Sequence, residues 1–186
     1  MPTIISHPAV PLAAAHAFGS GVISRRLLCA GVFVSILPDL DVLSFRFAVP
    51  YAAAFGHRGF SHSVLFAFCV ALAGACLFRL LRSTFSRSFL FLFAATASHG
   101  ILDAFTNGGM GVAFWWPWSE TRYLFPIQVI EVSPLGIPRF FSLRGVFVLW
   151  SEFLWIWLPL FSCAWLVKAF RHRTGRRMVK PGGWGS

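Results

Sequence analysis

At 186 residues, 57% of them hydrophobic, with 22 Phe, 8 Trp and a mean hydropathy of +0.71, the chain is too apolar for a soluble domain of its size. It reads as an all-α integral membrane protein, and its net charge of +10 does not make it a nucleic-acid binder. On so apolar a chain, basic residues are positive-inside flanks and contacts with anionic lipid. The cysteines Cys29, Cys69, Cys76 and Cys163 lie in apolar runs with no C-x-x-C pair, so they indicate neither a disulfide framework nor a thiolate zinc site and read as small buried hydrophobes.

In chain order, residues 8–23 form a first apolar, Ala-rich segment interrupted by His16 and Gly19. No Lys or Arg precedes it, so it lacks the positive n-region of a cleaved signal. Arg25 and Arg26 stop it. A second apolar run, 27–37, ends in Pro38-Asp39-Leu40-Asp41, where proline and acids mark a helix end. A loop with Arg46 and Pro50 leads into Gly56-His57-Arg58-Gly59-Phe60-Ser61-His62-Ser63 and then a third run, 64–81, in which Arg79 snorkels. After Arg82 and Arg87, residues 88–105 return as a fourth helix carrying Ser98, His99 and Asp103. Residues 106–142 change character, with Gly108, Gly109 and Gly111, then Trp115-Trp116-Pro117-Trp118, and predict an irregular outer cap at headgroup depth. Residues 146–167 form a fifth segment, broken by Pro159 and carrying Glu152, and six Lys or Arg between 168 and 180 mark a cytoplasmic tail. The expectation is a polytopic bundle of about five segments, with one membrane domain over 1–170 and a basic tail over 171–186.

The basic residues orient this bundle. With the tail inside, Arg25, Arg26, Arg79, Arg82, Arg87 and the six of the tail face the cytoplasm, against Arg46, Arg58, Arg122, Arg139 and Arg144 outside. The same assignment puts His7, Asp39, Asp41, His57, His62, His99 and Asp103 at the outer ends of the first four segments. At about 1.5 Å per helical residue, Asp39 is about 21 Å from Arg25 and His99 about 18 Å from Arg87, so both reach similar depth.

That layer has the chemistry of a metal site. His99 and Asp103, four apart, share a helix face, and Asp39 and Asp41 can face the same way in an extended or turn segment. Each pattern also has a plainer reading: a helical hydrogen-bonded pair, a helix-terminal cap, or an interfacial histidine. His16 reads as a buried structural histidine and His172 as a tail residue. Ionisable groups near hydrocarbon are least costly when they share a cation, and His7, Asp39, Asp41, His57, His62, His99 and Asp103 suffice for one or two divalent ions. Without thiolate ligands, an open hydrolytic site is favoured over a closed structural zinc.

Pro38-Asp39-Leu40-Asp41, Gly56 to Ser63, Ser98-His99 with Asp103, then Thr106, Gly109 and a Trp-Pro pair resemble the YdjM-type family over about residues 1–120. The resemblance implies a LexA-regulated, membrane-bound, metal-dependent hydrolase of the bacterial inner membrane, hence a link to the SOS response. Relatives often carry His directly after the second Asp, where this chain has Val42, which bears on a second metal. The His-x-x-x-Asp pair also resembles part of the zinc pattern of phospholipase C and P1-type nucleases.

The resulting expectation is a zinc-type hydrolase acting on a phosphoester or related bond of a membrane lipid or lipid-linked substrate. Asp41 or His57 takes the proton, Arg58 and Arg122 hold an anionic headgroup, and Trp115, Trp116 and Trp118 seat the acyl end. The rival readings are a divalent-metal transporter and a non-catalytic membrane protein stabilised by metal. Substrate identity and oligomeric state are not legible.

Overall fold

The computed structural model describes residues 1–134 and 140–178, with side chains to residue 174. Residues 135–139 of the irregular stretch, including Arg139, and residues 179–186 of the basic tail lie outside the described part. Helix α1 is Ala9–Phe18, α2 is Arg25–Ile36, α3 is Val64–Cys76 and α4 is Phe85–Ala104. The chain closes with α5, Leu143–Glu152, and α6, Leu158–Met178. Hydroxyl caps start three of them: Ser24, Ser63 and Thr84 accept from the amides of Leu27, Phe66 and Arg87. Each cap satisfies a backbone donor that the first helical turn leaves unpaired.

Helix α2 passes directly into a 3₁₀ stretch, Leu37–Phe47, with Pro38 in its first turn. Proline removes the amide that would continue the α ladder, and the tighter 3₁₀ turn carries the chain on. Between α5 and α6 the helix does not break at Pro159. It widens into a π turn, Phe153–Trp157, closed by the Leu158 amide bonding to the Phe153 carbonyl. The wider turn accommodates a ring that would otherwise meet the carbonyl four residues back. The helix also runs past residue 171, where the sequence suggested a tail.

Two of these stretches, Arg25–Phe47 and Leu143–Thr174, are long and apolar enough to cross a membrane. With 10 and 13 residues, α1 and α3 reach only about 15 and 20 Å, short of a hydrocarbon core of about 30 Å. Successive segments run in alternating directions. At one end the turn before α2 meets the turn before α4, through the Ser24 hydroxyl on the Leu81 carbonyl and Arg26 on the Leu80 carbonyl. Arg171 of α6 joins the same end by donating to the carbonyls of Ala17 and Phe18.

Helix contacts use small residues. Ala67, Ala71 and Ala75 form a buried stripe along α3, and a Cβ on Gly74 would come within 2.4 Å of Leu92 of α4. Ala13, Ala17 and Ala164 do the same between α1 and α6. Small side chains let membrane helices approach closely and gain dispersion contact, where no hydrophobic drive separates helix from lipid. Phe33, Phe68, Leu90, Phe147 and Leu166 point outward. The cysteines do too: all four are exposed, so the expectation of buried cysteines fails because alanine occupies the contact faces. His16 is likewise exposed.

Glu152, the last residue of α5, ties the start of the chain to the fifth segment. Buried Glu152 accepts from the Thr3 amide, from the Thr3 hydroxyl at 2.6 Å and from the Ser6 hydroxyl at 2.6 Å, and Trp157 donates to that Ser6 oxygen at 2.9 Å. Glu152→Ala strands these donors in an apolar setting and is expected to cost about 2 to 4 kcal/mol. Denaturant titration in micelles, compared with Glu131→Ala at the exposed Arg144 pair, checks it.

Candidate metal centre

Four segments together contribute five residues to one buried cluster. His7 comes from the turn before α1, Asp39 from the 3₁₀ stretch after α2, and His62 from the 3₁₀ turn before α3, with His99 and Asp103 from α4. His7, His99 and Asp103 are 0% exposed, His62 4% and Asp39 6%. Asp39, His62 and His99 offer ligand atoms within 4.8 Å of one another, as do His7, His99 and Asp103.

The ligand atoms face a common space and do not pair with one another. His7 Nε2 lies 3.6 Å from Asp39 Oδ2 and 3.9 Å from Asp103 Oδ1, His99 Nε2 is 3.3 Å from Asp39 Oδ1, and His62 Nε2 is 3.2 Å from Asp103 Oδ2. Yet both Asp39 oxygens, Asp103 Oδ1 and the Nε2 atoms of His7, His62 and His99 lack a hydrogen-bond partner, and Asp103 Oδ2 has only its ion pair with Arg58 Nε at 3.1 Å. Atoms each about 2.1 Å from one tetrahedral ion are separated by about 3.4 Å, so these spacings suit ligands better than hydrogen bonds. Buried polar atoms without partners are costly unless a cation takes their lone pairs.

The surrounding groups set which nitrogen is free. His99 Nδ1 donates to the Ser35 carbonyl at 2.7 Å, which leaves Nε2 as the lone-pair nitrogen. His62 Nδ1 is 2.9 Å from Ser61 Oγ and 3.2 Å from Asp41 Oδ2, again leaving Nε2 toward the cluster. His7 and His99 stack with ring centroids 3.6 Å apart.

Asp41 and His57, expected among the ligands, lie outside both ligand groups. In a 3₁₀ helix, residues two apart point about 240° apart, so Asp39 enters the cluster while Asp41 turns to the Gly56–Ser63 loop. Asp41 accepts there from His57 Nδ1 at 2.6 Å, the Arg58 amide at 3.0 Å and the Ser61 hydroxyl at 2.6 Å. It also borders a pocket of 460 Å³ walled by Leu40, Phe55, Phe60, Phe66 and Val70. Val42 is half-buried and belongs to neither ligand group.

Neither arginine is poised for a headgroup. Arg58 is 1% exposed and spends its guanidinium on Asp103 Oδ2 at 3.1 Å, the Gly108 carbonyl at 2.9 Å and Thr106 Oγ1 at 3.0 Å. The fit depends on Gly109, at φ +95°, where a Cβ would stand 2.5 Å from Arg58 Nη1. Arg122 donates to the carbonyls of His57, Tyr51 and Ala53, which fastens the irregular stretch to the histidine loop. Trp115 and Trp118 are exposed, and Trp116 packs edge-on against Phe55 and Phe60. The sequence reading missed Ser35, Ser61 and Glu152 as supports. Ser61 stood inside a noticed motif, whereas a backbone carbonyl such as that of Ser35 has no sequence signal.

These features define a helical membrane protein with buried His/Asp clusters able to coordinate a divalent metal. The chain belongs to the YdjM inner membrane protein family, whose model matches residues 1–175. It is 49% identical over 162 residues to inner membrane protein YbcI of Escherichia coli (strain K12), covering 86% of this chain and 92% of that protein. It is therefore a multi-pass inner-membrane protein. No solved structure matches.

Metal capture at this cluster must displace a proton. Burial works against a charged His62, but its neighbours Asp103 and Asp41 outweigh that and raise its pKa to about 9. Below pH 9 His62 then carries a proton that competes with the cation, so affinity is expected to rise about tenfold per pH unit from pH 6 toward 9. Calorimetric titration with zinc in buffers of different ionisation enthalpy reads both the slope and the proton released.

Proposed function

We propose that this protein is a membrane-bound, metal-dependent hydrolase acting on a phosphoester or related bond of a lipid or lipid-linked substrate, with zinc as the resident ion. The observation that carries the reading is the set of partnerless His and Asp atoms facing one buried space beside an apolar pocket. His7, Asp39, His62, His99 and Asp103 would hold the ion. Both ligand groups need His99, whose only lone-pair nitrogen is Nε2, and one imidazole nitrogen serves one ion, so the site is mononuclear. A bound cation supplies Lewis acidity to the scissile group and to water.

The chain's own residues do the rest. Asp41 holds His57 through Nδ1, so the opposite ring nitrogen is the proton acceptor, the arrangement by which a carboxylate orients a general base. Ser61 and Asp41 fix His62, and the Arg58 ion pair with Oδ2 aims Asp103. The apolar pocket beside Asp41 takes hydrocarbon and excludes water. LexA regulation, an SOS role and likeness to phospholipase C remain parts of this proposal, resting on the resemblance.

Asp103→Asn keeps the shape but removes a charge that holds the cation. It is expected to lower turnover on a panel of phospholipids and isoprenoid phosphates at least a hundredfold, with bound zinc falling in parallel by elemental analysis. Loss of zinc in a protein whose wild type hydrolyses nothing on the panel would favour the metal-stabilised, non-catalytic rival. The transporter reading is weakened by Glu152, which is committed to Thr3 and Ser6 and offers no waypoint for a cation.

We further propose five passes, a periplasmic N-terminus, a site at the periplasmic face and a tail over 171–186 in the cytoplasm. Support comes from the polarity of the bundle: Arg25, Arg26, Arg79, Arg82 and Arg171 belong to the end away from the cluster. Reporter fusions are expected to place a fusion before residue 8 outside and one after residue 178 inside. A cytoplasmic N-terminus would show that the short α1 does not cross.

A further inference from the structure

At the end of the bundle opposite the His/Asp cluster, the last turn of α1 and the α6 helix enclose a pocket of 520 Å³. His16, Lys168, Arg171 and His172 line it. Among the described residues, no carboxylate lines the pocket to balance them. Of the six acids in the chain, Asp39, Asp41 and Asp103 belong to the cluster, Glu152 to Thr3 and Ser6, and Glu131 to Arg144, while Glu120 lies on the irregular stretch with Arg122. An uncompensated basic pocket between membrane helices is a receptor for an anionic headgroup.

The pocket is held in shape before any ligand arrives. Arg171 donates through Nη1 to the carbonyls of Ala17 and Phe18 at 2.9 and 2.8 Å, and its guanidinium lies 5.2 Å from the Phe18 ring centroid. Gly19 turns the chain away at φ +75°, and nothing lies within 4 Å of the position its Cβ would take. That leaves the mouth open. Trp165 and Phe170, exposed on α6 on either side of Lys168, supply aromatic surface of the kind that seats at the glycerol level of a bilayer.

We infer that this pocket binds the phosphodiester of an anionic phospholipid, with Lys168, Arg171 and the two histidines around the phosphate and the acyl chains along α6. The volume suits a headgroup with its glycerol, since small-ligand pockets run from about 300 to 1,000 Å³. The site is separate from the metal centre and independent of its chemistry.

Native mass spectrometry of the full chain, released from nonionic detergent, tests this with phosphatidylglycerol and phosphatidylcholine of matched chains. The wild type is expected to prefer phosphatidylglycerol at least tenfold. Lys168→Gln combined with His172→Gln should abolish the preference, while Arg79→Gln in the α3–α4 turn combined with Arg87→Gln in the first turn of α4 should keep it. Lys168→Arg combined with His172→Arg keeps the charge and should also keep the preference, which separates charge loss from misfolding. Four outcomes each overturn the inference: no preference in the wild type, a preference that survives the Gln pair, loss in both the Gln and Arg pairs, or displacement of the lipid by inorganic phosphate at equal concentration.

Discussion

Two buried carboxylates, Asp39 and Asp103, with the partly exposed Asp41 beside them, gather around a single buried guanidinium, Arg58, in a chain with six acids in all. With His62 neutral, as a metal ligand must be, the excess is two negative charges, which is the charge of one divalent cation. In so apolar a setting an unbalanced pair of charges is too costly to persist, and protonation or a cation must remove it. The surrounding architecture meets that demand. Four segments arrive at one level, each with one or two donors, and their neighbours hold the rings and carboxylates in position so that lone pairs meet in one place.

Much of this was legible from the residues. Scarce acids and histidines in a chain this apolar stand out, and alternation of basic flanks gives a common depth for them. His7, Asp39, His62, His99 and Asp103 were all among the residues singled out, and the cluster brings them together. What failed was local geometry. The separation of Asp39 from Asp41 depends on a 3₁₀ turn, and Pro38 hints at a helix end without saying which helix follows. The arginines were misread for a related reason: a charged residue in a loop looks available, and only the fold reveals Arg58 and Arg122 spending their donors on Asp103, Thr106 and backbone carbonyls. The cysteines and His16 were expected inside because apolar runs carry no mark of which face turns inward. In a bilayer both faces are apolar, so hydrophobic periodicity loses its usual power.

Glycines and hydroxyls in and around the histidine loop serve the charges as much as the turn does. Gly109 lets the Arg58 guanidinium pass close to the backbone, and Ser61 stands between Asp41 and His62. Such groups never touch the shared space, yet they fix ring orientation and the free nitrogen, which is how outer partners tune a metal site.

The hold of Glu152 on Thr3 and Ser6 spans 149 and 146 positions in the chain. Segment 1–7, which carries His7, therefore lacks this anchor while the first four helices emerge from the ribosome and enter the bilayer. Its anchor, at the end of α5, is made after them. Four donors can gather once α4 is inserted, and the fifth, His7, has only its stack on His99 until α5 follows. The first donor in the sequence is thus the last to be clamped.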